Sequence, residues 1–175
     1  MTPRENEQAG PVTDFLIEDH RRLEQLLQLA VADAGHVDLG AYDQFRAGLL
    51  RHIGMEEKIL LPAAQRLRGG EPLPIASKLR LDHGAIASLL MPPPTAAIIA
   101  TIRAVLKVHN TIEEGSGGLY ETCDELADSE SAQLLAKLQA APELAVLPCS
   151  DSPAVMPAVQ RALERAGYIF RGDEA

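Results

Sequence analysis

The chain has 175 residues, about one domain's worth. Sixteen Lys+Arg against twenty-five Asp+Glu give a net charge of −9, which argues against nucleic acid or an anionic membrane surface as the main partner. Apolar residues make up 46% and aromatics only 3%, so the core must be aliphatic, and two distant cysteines, Cys123 and Cys149, exclude a disulfide scaffold.

No apolar run approaches the roughly 18 residues of a membrane span. The opening MTPRENEQAG is polar and lacks the apolar core of a secretory signal. A reducing, cytoplasmic setting is the expectation.

Residues 1–12 read as a disordered lead. The spacing then predicts a helix over 13–33, with Leu16, His20, Leu23, Leu27 and Ala30 on one stripe and Thr13 or Asp14 as its cap. A loop carrying His36 follows. The second helix, over 40–68, aligns Phe45, Leu49, His52, Glu56, Leu60, Ala63 and Leu67, and Pro62 predicts a kink in it. After the turn GGEPLP, a third helix over 75–90 carries Leu79, His83, Ile86 and Leu90. The run MPPPT breaks the chain. A fourth helix over 95–114, with Thr95 as its cap, aligns Ile98, Ile102, Val105, His109 and Ile112. GSGG at 115–118 ends or frays that helix. Short helices are expected at 119–127 and from Ser129 to about 140, and a last one at 154–166 between Pro153 and Gly167. Four helices of similar length with short breaks predict an all-α, up-down-up-down four-helix bundle over 13–120. Residues 121–175 read as a helical C-terminal extension packed on its outside.

Four of the five histidines fall one per helix, each on an apolar stripe: His20, His52, His83 and His109. Two of them open the same pattern, His52-Ile-Gly-Met-Glu56-Glu57 and His109-Asn-Thr-Ile-Glu113-Glu114. A spacing of four sets His52 beside Glu56 and His109 beside Glu113 on one helix face. Imidazole and carboxylate together suit iron, zinc or manganese. One histidine on an apolar face is ordinarily a hydrogen-bonded core residue, and one H-x-x-x-E carries little information. Four inward histidines and two inward carboxylates in one small bundle are different, because buried carboxylates need a partner, a proton or a metal. A metal cluster is the better reading.

Glu57 and Glu114 read as solvated or supporting groups. Asp19 and Asp82 read as helix-surface groups. His36 reads as solvated, and Tyr120 and Cys123 as ordinary packing residues. The chain offers no evident acid or base beside the cluster that would favour catalysis.

The set Asp19-His20, His52-x-x-x-Glu56-Glu57 followed by Ile59-Leu60-Leu61-Pro62, Asp82-His83, and His109-x-x-x-Glu113-Glu114 resembles the hemerythrin-like, or HHE cation-binding, family. The resemblance covers about residues 14–120. It implies a four-helix bundle around a non-haem pair of irons, oxo- or hydroxo-bridged. In that arrangement His20, His52, His83 and His109 are terminal ligands, and Glu56 and Glu113 bridge the metals. Zinc or manganese are possible substitutes. The oxygen carriers of the family have another histidine four residues after the third-helix one, where this chain has Ala87. They also close with an aspartate five residues after the last histidine, where this chain has Glu114. The paired H-x-x-x-E pattern is closer to the iron-sensing F-box type.

Two six-coordinate irons need about twelve donors. The histidines, the carboxylates and a bridging oxygen leave about two positions open, against about one in the oxygen carriers. The leading expectation is a sensor of oxygen, nitric oxide, iron or redox state, with a diatomic molecule or peroxide as its ligand. The C-terminal extension would offer a surface for a protein partner. The alternatives are an enzyme decomposing or reducing peroxide, a store of oxygen or iron, and a metal-free helical module.

Overall fold

A computed structural model describes residues 9–172. The expected N-terminal lead therefore lies outside the described residues as far as residue 8. The described residues are helical, with no strands: α1 (Pro11–Ala30), α2 (Leu39–Met55), a π-helical turn (Glu56–Leu60), α3 (Leu61–Leu67), α4 (Ala76–Leu89), α5 (Ala96–Glu114), α6 (Leu119–Ala127), α7 (Ser131–Gln139) and α8 (Val155–Ala166). Among the described residues no helix is long and apolar enough to cross a membrane.

The helix ends show how local sequence sets the elements. α1 starts at Pro11, whose missing N–H costs nothing in a first turn. Its cap is neither Thr13 nor Asp14. The Asp124 carboxylate, from α6, accepts from the Val12 and Thr13 N–H groups at 3.1 and 2.8 Å. A Cβ at Gly10 would overlap that carboxylate, so glycine permits the approach. α5 is capped as expected, with the Thr95 hydroxyl accepting from Ile98 N–H at 3.2 Å. α8 ends at Gly167, where φ is +84° and the Gly167 and Tyr168 N–H groups close onto Glu164 and Leu163 carbonyls.

The single helix expected over 40–68 is three consecutive segments. Pro62 lacks the N–H that an α-helix would direct back to Lys58. The chain widens just before it, and Leu61 N–H reaches the Glu56 carbonyl five residues back. The irregularity therefore starts at Glu56 rather than at the proline.

Two apolar clusters show the direction of each helix. One gathers Leu23 and Leu27, Phe45 and Leu49, Ile86 and Leu89, and Ile102 and Val105. The other gathers Val12 and Leu16, Met55 and Leu60, and Leu79. α1 and α4 run from the second cluster to the first, whereas α2 and α5 start in the first. The topology is thus up-down-up-down, and each histidine lies between the clusters.

The residues after 115 are less peripheral than the sequence suggests. α6 contributes Leu119, Tyr120, Cys123 and Ala127 to the second cluster, and α7 adds Leu134 and Leu138. α8 lies along α4 and contributes Val155, Val159, Leu163 and Ala166 to the first. Leu163 is 1% exposed. Leu163→Ala should therefore lower the unfolding free energy by about 2–5 kcal/mol, as large-to-small core changes do. Leu29→Ala, at an exposed position, should cost little. Urea unfolding of both variants checks this, and equal midpoints would make α8 a detachable appendix.

Candidate metal centre

The structure brings all six sequence-selected residues together. His20, His52, His83 and His109 are 8, 1, 4 and 2% exposed, and Glu56 and Glu113 are fully buried. They form two overlapping groups, His20, His52, Glu56 and Glu113 in one and His83, His109, Glu56 and Glu113 in the other. Within each group the donor atoms lie within 4.8 Å of one another. His36 is exposed on its loop, away from the site.

Both shared carboxylates divide their oxygens between the groups. Glu56 Oε1 lies 3.2 Å from His52 Nε2, and its Oε2 lies 3.0 Å from His83 Nε2. Glu113 Oε2 lies 3.5 Å from His20 Nε2, and its Oε1 lies 2.9 Å from His109 Nε2. Each histidine thus aims Nε2 at the centre. Glu56 Oε2, Glu113 Oε1 and His83 Nε2 are buried without a hydrogen bond. Buried polar atoms left this way are costly. Nitrogen and oxygen donors converging from four helices are the set that iron, zinc or manganese takes. The residues present fit a pair of metal ions.

Each imidazole is held from behind by its own carboxylate. His20 Nδ1 lies 2.5 Å from Glu114 Oε1, His52 Nδ1 2.8 Å from Asp19 Oδ2, and His83 Nδ1 2.6 Å from Glu57 Oε1. His109 Nδ1 faces Asp82 Oδ2 at a longer 3.4 Å. A carboxylate in this position fixes the ring's orientation and raises its basicity. Arg22 holds Asp19 at 2.8 Å, and Lys78 holds Asp82 at 2.5 Å while also donating to the Ala166 carbonyl of α8.

Three expectations are corrected here. Asp19 and Asp82 are 8 and 0% exposed. They are buried supports of histidines on neighbouring helices, not surface groups. Of the two roles expected for Glu57 and Glu114, solvated or supporting, they take the supporting one. Tyr120 is no ordinary packing residue, because its hydroxyl is 2.7 Å from Glu56 Oε1 and 3.1 Å from Glu113 Oε2. The same oxygen lies 3.0 Å from His20 Nε2 and 3.1 Å from His52 Nε2. The cluster therefore does have acids and a phenol beside it. The aspartates had a signal, the dipeptide Asp-His repeated on α1 and α4. Tyr120 had none, because a tight glycine turn brings it in.

That turn accounts for GSGG. Gly117 has φ +70°, and a Cβ at Gly118 would lie 2.6 Å from the carbonyl oxygens of Ile112, Glu113 and Gly115. Only glycine lets the chain reverse directly over the end of α5 and carry Tyr120 back to Glu113. Cys123 is buried beside it, and burial together with Asp124 pushes its thiol up to about 12. It is a packing residue, as expected.

The site's charges are strongly coupled. Burial opposes a charged ring, but Glu56 and Asp19 more than offset this and raise His52 to about 10. Against the same opposition, Glu113 and Glu56 raise His83 to about 10, and Asp82 and Glu113 raise His109 to about 9. Burial works against the Asp19 carboxylate, yet His52 and Arg22 hold it near 2. Burial beside Glu56 and Glu113 holds the Tyr120 phenol well above its ordinary value, so it is protonated.

These shifts set a sign for the metal-free chain. Rings with raised values bind protons more tightly folded than unfolded. Their stabilisation is complete below about 6.5, the unfolded histidine value, and is lost as pH rises toward 9–10. The melting temperature of chelator-treated protein should fall across that window. A flat or rising profile there would contradict the paired network.

A protein-family model described as the Hemerythrin HHE cation binding domain matches residues 12–141, from the start of α1 to just beyond α7. No curated protein and no solved structure gives a significant match. The family match, the four-helix topology and the two buried His/Glu groups agree: the chain belongs to the hemerythrin HHE cation-binding domain family.

Proposed function

We propose that the chain is a non-haem di-iron protein that responds to a small ligand or to redox state. The observation that carries this reading is the division of Glu56 and Glu113 across two donor groups. His20 and His52 would hold one ion, His83 and His109 the other, with Glu56 and Glu113 shared. An iron pair supplies reversible one-electron chemistry and open positions for dioxygen, nitric oxide or peroxide.

The chain's own residues orient and insulate that centre. Asp19, Glu57, Asp82 and Glu114 fix the four ring orientations. The apolar clusters on either side keep bulk water from the donors. Ala87 lies one turn after His83 and presents only a methyl group. The His83 side is therefore short of a donor compared with an oxygen carrier, which favours ligand exchange over reversible oxygen carriage.

A peroxide-directed enzyme is the second reading. What favours it is the ring of acids, Asp19, Glu57, Asp82 and Glu114, behind the histidines. The two readings part on turnover. The iron-loaded protein should change its visible spectrum on adding dioxygen, nitric oxide or peroxide, without sustained peroxide consumption. Continuous oxygen release from peroxide would make it an enzyme instead.

Anaerobically iron-loaded protein should hold two irons per chain by mass spectrometry, and His52→Ala and Glu113→Ala should each lower that content. An unchanged content would remove the site. Asp19→Asn should weaken metal affinity roughly 10–100-fold, as loss of a supporting carboxylate does. Asp33→Asn, at an exposed position, should leave it unchanged. Iron at about a hundred times its Kd should stabilise the fold by roughly 2.7 kcal/mol. At a fixed iron concentration that gain should shrink progressively as pH falls below about 9–10, because iron must displace protons from His52, His83 and His109. An unshifted melting temperature on chelation would count against the whole reading.

A further inference from the structure

The two donor groups are alike in composition but not in surroundings. Glu56 Oε2, Glu113 Oε1 and His83 Nε2, on the His83/His109 side, have no hydrogen bond. On the other side a fifth donor atom is present, the oxygen of Tyr120, and Tyr120 is fully buried.

Donor atoms about 2.1 Å from one metal and at right angles to each other lie about 3.0 Å apart. The Tyr120 oxygen is 2.7, 3.0, 3.1 and 3.1 Å from Glu56 Oε1, His20 Nε2, His52 Nε2 and Glu113 Oε2. A hydroxyl serving one hydrogen bond would approach one partner. This one is nearly equidistant from all four donors of a single group. That is the position of a fifth ligand on the same ion, and tyrosine oxygen is an established iron donor.

We propose that Tyr120 is a phenolate ligand of the ion held by His20 and His52, resting on the di-iron reading above. On ligation the phenol O–H bond breaks, an oxygen–metal bond forms and the proton leaves to solvent; no electron moves. The centre is then unsymmetrical. The His20/His52 ion gains a donor that its neighbour lacks. The open position for a small ligand falls on the His83/His109 ion, the side where Ala87 supplies no donor.

The test uses the full chain loaded with iron anaerobically and then oxidised by dioxygen, with metal content measured alongside. Phenolate bound to ferric iron gives a visible charge-transfer band and enhances phenolate ring modes in resonance Raman spectra excited within it. The wild-type chain should show those modes, and Tyr120→Phe should lose them while retaining iron. The chain has three tyrosines. The double variant Tyr42→Phe, Tyr168→Phe should therefore keep the modes, and it carries the test even where Tyr120→Phe folds poorly. Two bound irons without phenolate modes would overturn the proposal and leave the di-iron reading intact. No bound iron would overturn both.

Discussion

The structure depends on one constraint: two buried carboxylates, Glu56 and Glu113, must each face imidazoles on two sides without solvent. The carboxylates behind the rings make this tolerable, and they run in a closed circuit. Asp19 on α1 holds His52 on α2, and Glu57 in the π-helical turn holds His83 on α4. Asp82 on α4 holds His109 on α5, and Glu114 on α5 returns to His20 on α1. Every helix of the bundle thus both presents a ring and supports, directly or through its adjoining turn, the ring of the next. Displacing any one helix breaks two of these pairs, and broken buried ion pairs are expensive.

The remaining architecture serves to hold that layer at a fixed depth. Aliphatic clusters above and below it supply the burial energy that the polar layer cannot. The π-helical turn begins at Glu56, where a wider turn permits Glu56 to face inward while Glu57 reaches α4. The C-terminal helix has a part in this as well. Lys78 bonds both the Ala166 carbonyl and Asp82, so the end of α8 is three contacts from His109. Residues that look dispensable to a four-helix bundle are therefore connected to its centre.

The four long helices, their direction and the six central residues were legible in the sequence because each lies on a helix, where a spacing of three or four residues maps directly onto a face. What was not legible crosses between helices. Asp19 points away from the stripe of its own helix and so read as a surface group, yet a neighbouring helix covers it. The α1 cap comes from Asp124, more than a hundred residues away in sequence. Tyr120 depends on three glycines whose combined effect is a reversal of direction, which no periodicity encodes. Pro62 announced an irregularity, but the backbone relieved it one turn earlier.

The charge balance shows why such a layer can exist with and without metal. Glu56, Glu113 and the four supporting residues bring six carboxyl groups to the layer, and among the described residues Lys78, Arg22 and Arg80 are the lysine and arginine side chains that reach them from the rim. Without metal, protons on His52, His83 and His109 supply the missing positive charge, which is why those rings are raised so far from their ordinary value. The Tyr120 phenol keeps its proton for the same reason, since two carboxylates surround it. Metal ions would enter by displacing those protons, positive charge for positive charge. A site built in this way is not a void awaiting an ion. It is a proton-filled network in which metal affinity, pH and fold stability are one linked equilibrium.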